Sequence, residues 1–197
     1  MRNSVIFHGF RKVLIERYGK EQAKRLWKEA DAVHNQLRKR YSNLDRDSKM
    51  MILPAAALYT VLRKHEPDNA LPMLKEYGTH VGSKIAGIIH CVTSVPGIPK
   101  LLWRNMPSLM RKMSSPEAGY TRKIVSETDQ LVAVDILSCP LHNAAKRIGM
   151  EEVATVVCAM DKAYMTGFKY IDYTRTTSVA EGEACCDYRL SYNVEKK

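Results

Sequence analysis

The segment RTTSVAEGEACCDYRL at 175–190 gathers Arg175, Glu181, Glu183, Cys185, Cys186 and Asp187 around one hairpin-like turn. Side chains this reactive are rarely collected on a short β segment for packing alone, because each needs a partner or water once the sheet face is covered. Alternate residues of an extended chain face opposite ways. Cys186, Tyr188, Leu190 and Tyr192 therefore share one face, and Cys185, Asp187, Arg189 and Ser191 the other. Arg175 shares its face with Tyr173 and Ile171, an apolar company that directs it inward. A buried arginine grips a carboxylate through a planar fork. That carboxylate is either a substrate's or an internal one, Asp161 or Asp187. Ser178–Glu181 has the spacing of a helix capping box, but AEGEA suits a turn better.

Cys139 ends a predicted strand and precedes Pro140, a residue favoured at the first position of a helix. A thiol at a helix start is pushed toward thiolate by unpaired N–H groups and the helix dipole. The alternative is a small buried side chain at a turn. Asp135, four residues back on the strand, is expected on the same face as Cys139. In the helix that follows, Asp161 falls on the apolar arc near Val157 and Phe168, with Cys158 at its flank. A carboxylate there needs a partner, which makes it either functional or a structural mate for Arg175. The catalytic candidates are thus Cys139, Cys158, Asp161, Cys186 and Asp187, and the substrate-binding candidates are Arg175, Asp135 and Glu181. No cofactor is called for. As an alternative, Cys139, Cys158 and Cys186 converge on zinc or another soft metal.

The elements that must position these groups are helical first and mixed afterwards. Ala23, Leu26, Trp27, Ala30, Val33, His34, Leu37 and Tyr41 recur at three- and four-residue intervals, describing one amphipathic helix between Gly19 and Ser42. His34 in this stripe reads as a core histidine. A shorter helix precedes Gly19, a third runs from a cap at Asp45 or Asp47 to His65, and two more fill 69–94 and 98–113. After the SSPEAG linker at 114–119, residues 121–128 and 130–138 alternate as an antiparallel pair. Helices at 140–148 and 150–168 follow, and strands at 169–179 and 185–193 close the chain. The expected class is α+β: a helical part at 1–113 packed with a ββααββ unit at 120–197 that carries the site, in one compact unit.

Composition narrows the function classes. A hydrophobic fraction of 45% and a charged fraction of 26% exclude disordered and fibrous chains. The longest charge-free run, 85–99, is too short to span a bilayer and is broken by Gly87, Pro96 and Gly97. The start of the chain lacks the pattern of a secretory signal, so a cytoplasmic protein is expected. Five cysteines without a C-x-x-C spacing argue against a disulfide framework or a local zinc knuckle. Residues 1–120 hold 21 Lys and Arg against 10 Asp and Glu, whereas 121–197 hold 10 against 11. The basic excess attracts an anion, whether nucleic acid, membrane surface or small carboxylate, or it simply solvates helices. It lacks the aromatic interleaving of a nucleic-acid module, so a small carboxylate substrate is the expected partner. Homo-oligomerisation is left open.

Four segments, LPAAALY at 53–59, DILSCPLHNAAKRIG at 135–149, VCAMDKAYMTGF at 157–168 and RTTSVAEGEACCDYRL at 175–190, resemble the L-2-amino-thiazoline-4-carboxylic acid hydrolase family. The resemblance covers most of the chain from about residue 50, with the three C-terminal motifs in the family's order. It implies hydrolytic opening of a cyclic isothiourea to an N-carbamoyl-cysteine product. The family usually shows LPALALY, and a glycine-aspartate before the cysteine pair where this chain has Glu183 and Ala184. That departure bears on substrate choice.

Overall fold

The computed structural model describes Ser4 and residues 6–193. A long helix α1 (Phe10–Arg40) is interrupted at Gly19, whose φ of 75° a side chain would resist, so the predicted break between two helices is a kink inside one element. Asp45 caps α2 (Arg46–Leu62) by accepting the Ser48 N–H at 2.8 Å. From Ile52 to Leu58 every residue of α2 is buried, making it the central rod of the helical layer. Helices α3 (Ala70–Thr93) and α4 (Ile98–Met113) follow as expected, joined through Gly97 at a positive φ of 87°.

Four strands, β1 (Thr121–Glu127), β2 (Leu131–Ser138), β3 (Ile171–Thr174) and β4 (Cys186–Tyr192), form an antiparallel sheet in the order β1-β2-β4-β3. Between β2 and β3 lie α5 (Pro140–Arg147) and α6 (Ala154–Met165). The chain is therefore α+β. The expected helix over 150–168 is shorter, because residues 151–153 form a separate 3-10 turn before α6. The expected strand over 169–179 is also shorter. It leaves the sheet after Thr174, where Arg175 turns into the interior and Asp187 captures the N–H groups of Thr176 and Thr177. Residues 179–181 then make a single 3-10 turn.

Two apolar clusters hold the molecule. One joins α1, α2, α3, α5 and α6 around Phe10, Leu14, Ile52, Leu58 and Leu74. The other packs Trp103, Met106 and Met110 of α4 on Val132, Val134, Ile136 and Leu190 of the sheet. Helices from both ends of the sequence share the first cluster, since α3 and α6 run in close contact. Gly78 lies where a methyl would meet the Val156 carbonyl oxygen at 2.5 Å, and Gly82 and Gly167 are similarly pressed against backbone. The α3 glycines let α6 approach, and α6 carries Cys158 and Asp161.

Candidate functional site

Cys158 and Asp161 stand three residues apart on α6, on neighbouring turns of one face. Opposite them, alternation on β4 presents Cys186 and Tyr188 inward together with the fully buried Leu190. Arg175, with 8% of its surface exposed, reaches between the two layers from the end of β3. Its Nη1 donates to Asp161 Oδ2 at 3.0 Å and to the Tyr188 hydroxyl at 3.1 Å, and its Nη2 to the Cys158 carbonyl oxygen at 3.0 Å. Tyr188 completes the ring by donating its hydroxyl to Asp161 Oδ2 at 2.6 Å. The buried guanidinium also lies 5.5 Å from the centroid of the Tyr188 ring, stacking a cation on an electron-rich face. Of the two partners expected for Arg175 from the sequence, the internal carboxylate is the one it holds, and that carboxylate is Asp161.

Thiols and phenols surround this pair. Ser178 sits between two of the cysteines: its hydroxyl donates to Cys158 Sγ at 3.7 Å and accepts from Cys186 Sγ at 3.8 Å. The N–H of Val179 also donates to Cys186 Sγ at 3.4 Å. Cys139, at the start of α5, packs in the same sheet-side cluster as Cys186. Burial raises the Cys139 thiol pKa, outweighing the N–H groups at the helix start that favour a thiolate. This corrects the expectation of a thiolate there, since desolvation outweighs the helix start. Burial likewise pushes Cys158 up to about 11, against the pull of Arg175. The phenols of Tyr120, Tyr164, Tyr173 and Tyr188 are all raised by burial and then by nearby negative charge, Asp161 for the last three and Cys139 ahead of Asp161 for Tyr120, so they stay protonated hydrogen-bond donors. The buried Tyr173 hydroxyl has no hydrogen-bond partner among the described residues.

Three candidates lie elsewhere. Asp135 does not share the face of Cys139, because a bulge at Leu137, where β1 pairs Thr121 with Ser138 but Arg122 with Ile136, breaks the alternation; its carboxylate accepts from Arg189 Nη2 at 2.7 Å on the opposite side of the sheet. Asp187, paired with Asp135 across β2 and β4, is on that opposite side too. It accepts from the backbone N–H and hydroxyl of both Thr176 and Thr177, at 2.6–2.9 Å. Partial burial works the other way, but these donors hold its carboxyl well below the usual carboxylate range. Asp187 thus folds the loop that delivers Arg175. Glu181 is exposed, on the rim of a groove between α3, α6 and that loop.

The groove has a volume of about 500 Å³ and reaches Cys158 and Arg175; Lys75, Lys162, Thr176 and Thr177 line it. These lysines and threonines, and the four tyrosines, are what reasoning from sequence missed. The tyrosines carried a signal, since Tyr188 was placed on the inner face of β4 by alternation alone. Among the described residues no three His, Cys, Asp or Glu side chains are grouped so as to hold a metal ion. All five cysteines are free thiols.

Residues 45–190 match the model of a family described as L-2-amino-thiazoline-4-carboxylic acid hydrolase. No curated protein matches the chain. Among solved structures, a Fe(II) unliganded H-NOX protein from K. algicida is similar at 13% identity and a TM-score of 0.42, covering 98% of each chain. A trafficking protein particle complex subunit 3 from Naegleria fowleri, covalently bound to palmitic acid, is similar at 10% identity and a TM-score of 0.39, with 75% of this chain and 95% of that one covered. Likeness this low fixes neither fold nor function for the present chain.

Proposed function

This chain belongs to the L-2-amino-thiazoline-4-carboxylic acid hydrolase family, and on that premise we propose that it opens a small cyclic isothiourea carboxylate with water, giving an N-carbamoyl-cysteine product. The observation that carries the proposal is the half-buried Asp161 carboxylate, fixed by Arg175 and Tyr188 inside the matched segment. The reacting carbon of such a substrate lies between sulfur and two nitrogens. Protonation of the ring makes it electrophilic, and a fixed carboxylate stabilises the cation without having to reorganise. Arg175 and Tyr188 both bind Oδ2. We assign the remaining oxygen to the amidinium N–H.

We assign the attack to water rather than to Cys139 or Cys158. A thiol with a pKa near 11 is almost wholly protonated at neutral pH, and Cys139 is shifted in the same direction. Water adds to the carbon and gives up a proton, and the tetrahedral centre collapses by breaking the carbon–sulfur bond. The oxygen becomes the carbonyl of a urea, and the departing thiolate takes a proton. The unpartnered Tyr173 hydroxyl is the donor we assign to the developing oxygen. Arg175 is engaged with Asp161, so recognition of the substrate carboxylate is assigned to Lys75 and Lys162 in the groove.

The test is incubation with L-2-amino-thiazoline-4-carboxylate, following N-carbamoyl-cysteine by mass spectrometry. Turnover by the parent, reduced about 100-fold or more in Asp161→Asn, is expected. No turnover by the folded parent would overturn the reading. Iodoacetamide should label exposed Cys91 well before Cys139 or Cys158 in the folded protein. Rapid labelling of Cys139 that abolishes turnover would instead restore a thiolate nucleophile.

A further inference from the structure

The elbow between α3 and α4 carries the most exposed aliphatic side chains of the described residues. Ile88 is 67% exposed, Val92 56%, Val95 53% and Leu101 59%. Lys84, Ile88, Val92 and Val95 follow one another at three- and four-residue steps with Cys91 beside them, so they form one solvent-facing stripe of α3 and its C-terminal continuation. Gly82, Ala86 and Thr93 lie about 200° round from this stripe and are buried. Gly82 abuts α6, Ala86 abuts Gly167, and the Thr93 hydroxyl accepts the Lys169 N–H at 3.1 Å. The outer stripe is therefore unpartnered. Pro96, Gly97 and Pro99 fix a turn of 118° between the two helices, so Val95 and Leu101 stand on either side of a convex corner.

Charge identifies what this corner meets. From Glu76 to Glu117 the chain has no acidic residue between them, while Lys84, Lys100, Arg104, Arg111 and Lys112 fall in that interval. Lys100 and Arg104 are exposed beside Leu101, and Lys84 opens the α3 stripe. A second copy packed face to face would set these cations against their own equivalents. Nucleic acid would match the charge but offers nothing to Ile88, Val92 and Val95. Aliphatic side chains flanked by lysine and arginine suit the boundary between acyl chains and anionic headgroups. No single helix among the described residues is long and apolar enough to cross a bilayer, and although the bent pair α3–α4 has the length and composition for a broken span, α3 is packed on α6 through Gly78 and Gly82, so we place the contact with one leaflet.

We infer that the α3–α4 elbow is a docking site for an anionic lipid surface, inserting Val92, Val95 and Leu101 among the headgroups with Lys84, Lys100 and Arg104 as its cationic rim. The test is flotation of the full chain with vesicles of phosphatidylcholine alone and of phosphatidylcholine with about a third phosphatidylglycerol. Binding to the anionic vesicles only, weakened by salt, is expected. The triple variant Val92→Asn, Val95→Asn, Leu101→Asn should lose it with an unchanged thermal midpoint, since these side chains support no core. Lys100→Glu and Arg104→Glu, tested separately, should each weaken partition about fivefold or more. Absence of binding to the anionic vesicles, or undiminished binding by the triple variant, overturns the inference. So does concentration-dependent self-association that the triple variant abolishes while the parent ignores vesicles, which would assign the face to a second copy.

Discussion

Around α1 and α2 the interior is built from Phe10, Leu14, Ile52, Leu53 and Leu58, with the ring of His34 among them; between α6 and β4 it holds Asp161, Arg175, four phenols and three thiols. The first region is sealed from water and the second is reached by the groove at Cys158 and Arg175, and they owe their order to different terms. The helical core gains from apolar burial and shape, which no single contact dominates. The α6–β4 region has a carboxylate and a guanidinium whose removal from water is compensated only while they bind each other and Tyr188. An ion pair of this kind is weak support for stability, and a carboxylate held in fixed geometry is what the proposed reaction would use to stabilise a cation.

Cutting each region at its centre gives the sharpest contrast. Arg175→Met leaves the half-buried Asp161 without its cation and should cost about 2–3 kcal/mol in urea unfolding, together with nearly all turnover. Adding Asp161→Asn removes the stranded charge, so the double variant should regain part of that stability and none of the turnover. Leu58→Ala opens a cavity in the helical core at about 2–5 kcal/mol while leaving turnover per folded molecule unchanged. If Arg175→Met matched the parent in stability, the polar region would be wetter than its geometry indicates.

The helical core contains its own titration. Burial, reinforced by the charge of Arg38, lowers the His34 pKa to about 4 from an ordinary value near 6.5, and neither ring nitrogen has a partner among the described residues. The folded state therefore binds fewer protons than the unfolded one between those values, so stability falls as pH drops from about 6.5 toward 4, by about 3 kcal/mol at the end of that window. Above pH 6.5 the ring contributes no slope. His34→Leu should flatten this part of a plot of urea midpoint against pH. An unchanged slope would place the acid sensitivity elsewhere.

The two regions also differ in how far they can be read from the sequence. Periodicity placed α1 through α4, the break at Gly19, the Asp45 cap and the burial of His34, since each depends on neighbours within a few residues. Inward facing of Arg175, Cys186 and Asp161 was equally legible from alternation and helical phase. Alternation also put Asp187 on the face opposite Cys186, where it lies, and the misplacement of Asp135 relative to Cys139 came from following the period past its end. A bulge at Leu137 shifts the alternation before Cys139, and the predicted strand through 179 is cut short because Asp187 collects four donors from Thr176 and Thr177. Such a loop is specified by contacts across the sheet, which no local pattern carries. The groove lysines were invisible for the same reason: Lys75 and Lys162 meet only because α3 lies against α6.

That α3–α6 contact joins the two regions, and its glycines allow the smallest test. A methyl on Gly82 would overlap the Met160 carbonyl oxygen and reach the Ala163 side chain at 2.7 Å, and a backbone oxygen cannot swing aside as a side chain end would. Gly82→Ala should therefore push α6 outward, at about 1–3 kcal/mol of overpacking. Met160 directly precedes Asp161, so the same shift moves the carboxylate against Arg175 and Tyr188. Displacement on the scale of an ångström lowers turnover by up to about 100-fold when reacting groups must be aligned. Gly87→Ala, on the same helix with open space at its Cβ position, is the matched control and should gain about 0.5–1 kcal/mol from helix propensity with turnover intact. Loss of turnover in Gly82→Ala but not in Gly87→Ala would tie the polar site to the spacing of the helices; equal turnover in the two would mean that α6 yields without carrying Asp161 with it.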